Sequence, residues 1–346
     1  MYFLNQKPGR TVIIEGEEFL FFSGYSYLGM SFVDEFNSLI KEGMNKYGLL
    51  HPSSRISNTR LSIYKLFEEK LAALMGMEAC VSFSSGYLSG YTIAKVLSEH
   101  PCLFVSPYAH PAVTPAGKSS SLSFEEWKRD MLLSIEKNKP AEIAIITDSV
   151  NTSIGKIHDF SFLKEIPGNV KVICLVDDSH SLGLIGETGK GIITVLPALS
   201  NVEYIINSSL SKAFHLEGGV VCCSAHWAGK IRHQHSYSGS TPIMPAFAYT
   251  FLHADALYAE QRKKLYHNIS ILAEKIKGLN CVNNYGLPIF VLPGSLTEEV
   301  FRPDKIIISS FGYPDPDNNK NNRVVLNALH TEADLERLAA VLRSKV

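Results

Sequence analysis

The chain has 346 residues, of which 45% are hydrophobic and 19% are charged, which is ordinary globular material for one large domain and one smaller domain. Its formal net charge of −1 gives no electrostatic reason to expect nucleic acid or an anionic membrane as a partner. No apolar run reaches the roughly 18 residues of a membrane span, and residues 1–7 carry no signal-peptide pattern. We therefore expect a cytoplasmic protein that does not insert into membranes.

Six short apolar runs alternate with helical patterns, and this alternation predicts a mostly parallel sheet with helices on both faces. The runs are Ala79–Phe83, Cys102–Val105, Glu142–Thr147, Val172–Val176, Tyr204–Ile206 and Val220–Cys223. A helix is predicted from Pro245 to Leu279, followed by the strands Ile306–Ser309 and Arg323–Asn327 and by a terminal helix that begins at the capping-box pattern Thr331-Glu332-Ala333-Asp334. The predicted ranges are an N-terminal segment (1–40), a large cofactor-binding domain (41–244), and a linking helix with a small α/β domain (245–346).

Six cysteines are spread along the chain, mostly inside apolar runs, and no two of them form a C-x-x-C pair. This spacing favours free, buried thiols. His233 and His235 stand close together, but no second pair of ligands stands at a recognised metal spacing, so we predict no metal site.

Several chemically useful side chains follow the carboxyl ends of the predicted strands, where ligands bind in folds of this kind. Lys212 follows the run Tyr204–Ile206, and Asp177 follows Val172–Val176. A lysine amine can carry pyridoxal 5'-phosphate as a Schiff base, and a carboxylate that faces the pyridine nitrogen keeps it protonated, so that the ring acts as an electron sink. Lys212 and Asp177 are therefore the predicted catalytic pair of a pyridoxal phosphate site.

Ser84-Ser85-Gly86-Tyr87 joins a predicted strand to a predicted helix, so its backbone N–H groups and the helix dipole can hold a phosphate. The hydroxyls of Ser209 and Ser211, just before Lys212, can donate to the same phosphate. A plain strand-to-helix turn would look the same, so this motif alone does not decide between the two interpretations.

Longer stretches resemble a known family. Asp177-Asp178-Ser179-His180-Ser181-Leu182-Gly183, followed by Gly186-Glu187-Thr188-Gly189-Lys190-Gly191, resembles the D-E-A-H-S-x-G…G-x-x-G-x-G stretch of the pyridoxal-phosphate-dependent α-oxoamine synthases. Ser211-Lys212-Ala213-Phe214 resembles their lysine segment, S-K-A-F-G, and Tyr27-Leu28-Gly29 is similar to their N-Y-L-G. The resemblance implies the α/β architecture of fold type I, as in aspartate aminotransferase: a large domain with a mostly parallel seven-stranded sheet, and a smaller α/β C-terminal domain.

The resemblance also implies roles for further residues. His110 matches a family histidine that stacks on the cofactor ring, Thr152 and His180 match residues near the ring oxygen, and Arg323 matches an arginine that suits a substrate carboxylate. Thr241, in a segment similar to F-S-T-x-x-P, would reach the phosphate of the neighbouring subunit, which implies a homodimer with shared active sites. The predicted site comprises catalytic Lys212, Asp177, His180 and His110; cofactor-binding Ser85, Gly86, Tyr87, His110, Thr152, Asp177, His180, Ser209, Lys212 and Thr241; and substrate-binding Arg323.

The chain departs from the family pattern around this core. Ser26 stands for an asparagine, Gly90 for the asparagine after the phosphate loop, and His215 for the glycine after S-K-A-F. His51-Pro52-Ser53-Ser54-Arg55 replaces a glycine-rich segment. The cofactor residues are kept, whereas bulkier side chains would narrow an acyl-CoA channel.

Three hypotheses for the function remain open. The first is an 8-amino-7-oxononanoate synthase-like acyltransferase that condenses an amino acid with an acyl-CoA thioester. The second is a fold type I aminotransferase. The third is a non-catalytic relative, against which the joint presence of the lysine, the aspartate, both histidines and the arginine argues. Release of CoA would favour the first hypothesis, and conversion of the cofactor to pyridoxamine phosphate would favour the second.

Overall fold

The computed structural model describes residues 2–107, 109–118, 120–283, 286–313, 315 and 317–345. The strands are, in chain order, β1 (Thr11–Ile14), β2 (Glu17–Phe22), β3 (Ala79–Phe83), β4 (Leu103–Val105), β5 (Glu142–Asp148), β6 (Val150–Asn151), β7 (Lys156–Ile157), β8 (Lys171–Asp177), β9 (Val202–Ser209), β10 (Gly219–Cys223), β11 (Ile289–Val291), β12 (Ile306–Phe311) and β13 (Asn321–Val325).

The α-helices are α1 (Asp34–Tyr47), α2 (Ser62–Met75), α3 (Gly86–Ser98), α4 (Phe124–Asn138), α5 (Ala225–Arg232), α6 (His235–Ser238), α7 (Pro245–His253), α8 (Asp255–Lys275), α9 (Glu298–Phe301) and α10 (Glu332–Lys345). Among the residues described, none of these helices is both long enough and apolar enough to cross a membrane.

The chain folds into two compact units. The larger unit contains Glu35–Val150 and His158–Asp255. The smaller unit contains residues 2–34, Asn151–Ile157 and residues 256–345. This grouping differs from the predicted ranges, because the N-terminal segment and the C-terminal residues lie in one unit and because Pro245–His253 belongs to the larger unit.

A six-stranded sheet forms the centre of the larger unit, with the strand order β3-β10-β9-β8-β5-β4. The pairs from β9 to β4 are parallel, and β10 runs antiparallel to both of its neighbours. The inner residues of β5 and β8 are buried without alternation, as expected of strands that are covered on both faces. The sheet is mostly parallel, as predicted, and each of the six predicted apolar runs forms one of its strands.

The resemblance implied seven strands in this sheet, and the structure contains six in the part of the chain that it describes. The six apolar runs of the sequence are all used by these strands. The expected seventh strand therefore had no apolar run of its own and came from the resemblance alone.

The smaller unit is built on a five-stranded sheet with the order β1-β2-β12-β13-β11. β1 and β2 form a hairpin whose turn residues Glu15 and Gly16 have φ angles of 55° and 83°, the left-handed conformation that a two-residue hairpin turn requires. β2 pairs in parallel with β12, with Leu20 opposite Ile306. The N-terminal segment joins the C-terminal strands because this pairing satisfies the backbone groups along the second edge of β2.

The segment Tyr27-Leu28-Gly29, which resembles the family's N-Y-L-G, has a structural role in the smaller unit. The carbonyl oxygen of Tyr27 accepts a hydrogen bond from the backbone N–H of Ala328 at 2.9 Å. Gly29 has a φ of 62°, and a Cβ atom there would lie 2.5 Å from Cγ of Leu329. The Y-L-G segment and the segment before His330 therefore pack against each other, and only glycine fits at position 29.

The predicted helix from Pro245 to Leu279 is wrong as a single helix, because α7 ends at His253 and α8 begins at Asp255. The ammonium group of Lys70 lies 3.2 Å and 3.0 Å from the carbonyl oxygens of Phe251 and Leu252, and 2.7 Å from the carboxylate of Asp255. These carbonyl groups, at the C-terminus of α7, are satisfied by a cation from α2, so the helix can stop there.

The terminal helix has the predicted capping box. The backbone N–H of Thr331 donates to the carboxylate of Asp334 at 2.8 Å, and the backbone N–H of Asp334 lies 3.3 Å from the hydroxyl of Thr331. Four apolar residues at helical spacing along α10 are buried: Leu335, Leu338, Ala339 and Leu342.

Candidate active site

A cavity of about 130 Å³ lies where β5, β8 and β9 of the larger unit end. Its lining includes seven of the predicted site residues: Gly86, Tyr87, His110, Asp177, His180, Ser209 and Lys212. The other lining residues are Ala112, Asp148, Val150 and Ser179. Parallel strands present their carboxyl ends at one edge of a sheet, which explains why residues so far apart in the sequence meet here.

Asp177 ends β8 and is only 7% exposed. Its Oδ1 atom accepts a hydrogen bond from the backbone N–H of Ser179 at 3.0 Å, and its Oδ2 atom accepts one from the side-chain amide of Asn207 at 2.9 Å. Two donors on different oxygens fix the plane of the carboxylate. The group is therefore held in one orientation at the wall of the cavity.

Asp148 places a second carboxylate in the cavity, because it ends β5 directly opposite Asp177 in the strand register. Its Oδ1 atom accepts a hydrogen bond from the backbone N–H of His110 at 3.0 Å. Burial raises the pKa of Asp148 well above its usual range, and the charge of Asp177 raises it further, while the His110 hydrogen bond and Lys212 act in the opposite direction. Asp148 therefore holds a proton at higher pH than an ordinary aspartate does.

The imidazole ring of His110 is held by its own loop. Its Nδ1 atom accepts a hydrogen bond from the backbone N–H of Ala112 at 3.1 Å, so the neutral ring carries its proton on Nε2. Burial lowers the pKa of His110, with Asp177 opposing and Lys212 adding to the decrease. A neutral, oriented ring is suited to stacking. Tyr108, two residues before His110, lies outside the described residues.

Lys212 follows the end of β9 and lines the same cavity. Burial lowers the pKa of its amine, and the carboxylates of Asp177 and Asp148 oppose this decrease. Since the neutral amine is the form that attacks a carbonyl group or takes a proton, the environment of Lys212 favours nucleophilic and basic chemistry.

The opposite end of the predicted cofactor site is the N-terminus of α3. The hydroxyl of Ser85 accepts a hydrogen bond from the backbone N–H of Leu88 at 3.2 Å, so Ser85 is the N-cap and its side chain is used within the helix. A side chain at Gly86 would collide with Ser209, which explains the glycine. The hydroxyls of Ser209 and Ser211 lie 2.8 Å apart beside this helix start. The helix N-terminus and the two hydroxyls together form an anion-binding arrangement.

The glycine-rich stretch after Asp177 folds back on the Lys212 segment. Asp178 accepts a hydrogen bond from the backbone N–H of Ile192 at 3.0 Å and another from the hydroxyl of Ser181, while burial raises its pKa to about 7. Gly183 has a φ of 87°, and a Cβ atom there would lie 2.7 Å from Cβ of Ala213. Residues 181–191 of this stretch therefore support the segment that carries Lys212 and do not line the cavity, whereas Ser179 and His180 do.

Three predicted site residues lie elsewhere. Thr152 and Arg323 are in the smaller unit, where Nη1 of Arg323 donates to the carbonyl oxygen of Thr152 at 3.3 Å. Thr241 lines a separate cavity of about 220 Å³ in the larger unit, together with Ser84 and Glu217. Among the described residues, Thr241 does not line the cavity of about 130 Å³ that contains Lys212, called the Lys212 cavity below.

Asp148, Ser179 and Asn207 also shape the site, although no sequence motif assigned a role to them. Asp148, like Asp177, is an aspartate at the end of an apolar run, and this pattern could have identified it from the sequence. Ser179 orients the site through its hydroxyl, which accepts a hydrogen bond from the backbone N–H of Ser209 at 2.9 Å. Asn207 follows the apolar run Tyr204–Ile206 and is fully buried, and a buried amide signals a specific hydrogen-bond partner.

No protein family model matches the chain. A relative named 8-amino-7-oxononanoate synthase, from Thermosipho melanesiensis, is 25% identical over 352 residues, which cover 96% of this chain and 90% of the relative.

Solved structures are similar over almost the whole chain. A lysine-to-alanine variant of a serine palmitoyltransferase from S. paucimobilis, solved with a bound PLP–myriocin aldimine, superposes with a TM-score of 0.82 at 17% identity and covers 99% of this chain and 92% of its own. An 8-amino-7-oxononanoate synthase from Francisella tularensis superposes with a TM-score of 0.71 at 20% identity and covers 94% of this chain and 97% of its own. These likenesses confirm the predicted α/β fold.

Proposed function

We propose that this chain, which belongs to the pyridoxal-phosphate-dependent α-oxoamine synthase family, is an acyltransferase. It would join an amino acid to an acyl-CoA thioester. The observation that carries the proposal is the cavity in which Lys212, Asp177 and His110 meet at the carboxyl edge of the sheet. The relatives named 8-amino-7-oxononanoate synthase favour acyl transfer over transamination.

The residues of the cavity fit pyridoxal 5'-phosphate. Lys212 has the amine for the covalent link, Asp177 has a fixed carboxylate for the ring nitrogen, and the N-terminus of α3 with Ser209 has the donors for the phosphate. The neutral ring of His110 is suited to stacking on the cofactor, and we assign His180 and Thr152 to the ring oxygen. When bound, the cofactor supplies the electron sink that makes the Cα–H of an attached amino acid acidic.

Lys212 would move the Cα proton of the amino acid, and Arg323 would bind its carboxylate. The amine of Lys212, whose pKa is lowered by burial, takes the proton from Cα and holds it at Nζ. Arg323 has a buried Nε atom without a hydrogen-bond partner among the described residues, and its fork of donors matches a carboxylate. We therefore assign Arg323 to the carboxylate of the amino acid substrate.

The direct test is a matrix of amino acids and acyl-CoA thioesters with detection of released CoA thiol. We expect CoA release that requires both substrates and added pyridoxal phosphate. Transfer of the amino group to a 2-oxo acid, with formation of pyridoxamine phosphate and no CoA release, would replace the proposal with an aminotransferase. Cofactor binding without either reaction would favour a non-catalytic relative.

We also propose a homodimer with shared active sites that works in the cytoplasm. Thr241 is exposed and lies outside the Lys212 cavity of its own chain, which supports a role in the site of a neighbouring subunit. All six cysteines are free thiols, which supports a reducing compartment.

Mixing two inactive variants tests the shared site. One chain carries Lys212→Ala, and the other carries Ser240→Ala and Thr241→Ala. After subunit exchange, half of the dimers should be mixed, and one of their two sites should have both an intact lysine and an intact loop, so activity should return to about a quarter of the wild-type level. A chain with all three changes, mixed with the Lys212→Ala chain, is the control and should stay inactive. A strictly monomeric enzyme with full activity would refute the shared site.

A further inference from the structure

Asn207 lies in β9 directly opposite Asp177 of β8 and is 0% exposed. Its Nδ2 atom donates to Oδ2 of Asp177 at 2.9 Å, and its Oδ1 atom accepts from the hydroxyl of Ser89 at 2.7 Å. Ser89 is itself buried, on the first turn of α3. A chain of two hydrogen bonds therefore runs from α3 through β9 to the carboxylate at the cavity wall.

The negative charge of Asp177 sets the direction of this chain. An ionised carboxylate can only accept, so the 2.9 Å contact requires the NH₂ group of Asn207 to face Asp177. The amide oxygen must then face Ser89, whose hydroxyl can donate to it. The carbonyl oxygen of Gly86 competes for the single proton of that hydroxyl, but it lies farther away, at 3.0 Å against 2.7 Å for the amide oxygen.

Position 90 explains why the amide has room. The resembling family has an asparagine at this position, and this chain has Gly90. A Cβ atom at Gly90 would lie 3.1 Å from Nδ2 of Asn207 and 3.2 Å from Cβ of Ala112, so a larger side chain on α3 would enter the space that the amide fills. The side-chain amide next to Asp177 therefore belongs to Asn207 of β9, and Gly90 of α3 leaves the space that this amide needs.

We propose that Asn207 is a positioning residue that orients the carboxylate of Asp177 and stabilises its negative charge, with Ser89 fixing the direction of the amide. The proposal rests on the proposed function, because the charge of Asp177 is what keeps a proton on the ring nitrogen of pyridoxal phosphate. A hydrogen bond to an ionised group is stronger than one between neutral groups. Loss of the Asn207 amide should therefore change the orientation and charge of the Asp177 carboxylate more than the stability of the fold.

The first measurement is the affinity of the apoenzyme for pyridoxal phosphate. Asn207→Leu keeps the side-chain volume and removes both hydrogen bonds, and it should weaken binding about 10- to 100-fold. Ser208→Ala is the matched control, because Ser208 is the next residue of β9, is 0% exposed, and has a hydroxyl without a hydrogen-bond partner among the described residues. The control should bind the cofactor with nearly the wild-type affinity.

A double-mutant cycle separates positioning from packing. In an Asp177→Asn background, where the charge is already absent, Asn207→Leu should weaken cofactor binding by no more than about 3-fold. In the Asp177 background, cofactor labelled with ¹⁵N at the ring should lose its ring proton at a pH about 1 to 2 units lower in Asn207→Leu than in the wild type. Equal losses of affinity in both backgrounds, with an unchanged ring-nitrogen signal, would overturn the proposal.

A second variant covers the case in which Asn207→Leu does not fold. Ser89→Ala leaves the amide in place and removes the donor that directs it, so both readouts should change in the same direction by a smaller amount, about 3- to 10-fold in affinity. No change in either readout would count against the proposal. Neither readout requires an acyl-CoA, so failure of acyl transfer overturns the proposed function alone, whereas a wild-type protein that binds no pyridoxal phosphate overturns both.

Discussion

Replacement of Lys212 by alanine is expected to lower turnover by at least about 10⁴-fold and to abolish covalent attachment of pyridoxal phosphate. Among the described residues that line the Lys212 cavity, Lys212 is the single lysine. Burial lowers the pKa of its amine. The variant therefore loses both the nucleophile that binds the cofactor and the base that takes the Cα proton. Borohydride reduction followed by mass spectrometry of the peptides measures the attachment.

Lys190→Ala is the matched control for this experiment. Lys190 is exposed and lies in the glycine-rich stretch after Asp177, outside the cavity lining. Its replacement should leave both turnover and attachment near the wild-type level. Attachment of the cofactor to another lysine in the wild-type protein would show that Lys212 is not the cofactor lysine.

Replacement of Asp177 by asparagine should slow Cα proton removal about 10²- to 10³-fold while the cofactor still binds. Asparagine keeps the shape of the side chain and removes its charge, so the ring nitrogen loses the partner that keeps it protonated and the ring becomes a poorer electron sink. The measurement is exchange of the Cα proton of the amino acid substrate with deuterium, followed by NMR.

Asp178→Asn makes the same chemical change at the neighbouring carboxylate, which is fully buried but does not line the cavity. An asparagine there can still accept from the backbone N–H of Ile192 and contact the hydroxyl of Ser181. Proton exchange in this variant should stay close to the wild-type rate. If Asp177→Asn exchanged the Cα proton as fast as the wild type, Asp177 would not be the partner of the ring nitrogen.

The six strands of the sheet in the larger unit could be predicted from the sequence alone, and so could the pair of residues, Asp177 and Lys212, that line one cavity. A strand buried on both faces must be apolar throughout, so runs such as Val172–Val176 are visible without any knowledge of their neighbours. The polar residue that follows such a run lies at the edge where ligands bind, which identified Asp177 and, one strand further along, Lys212. The start of α10 was also predictable, because a capping box involves only residues within one turn.

Other features depend on residues far apart in the chain and are visible only in the folded protein. The break between α7 and α8 is stabilised by Lys70, which is 185 positions from Asp255, and no local pattern around Ala254 indicates it. The hairpin of β1 and β2 joins the C-terminal strands because β12 pairs with the second edge of β2. Asn207 is a buried amide near the end of β9, and its role depends on Asp177 and Ser89, which are 30 and 118 positions away. Short-range preferences act between neighbours in the chain, whereas burial and hydrogen-bond partners are set by which segments meet in space.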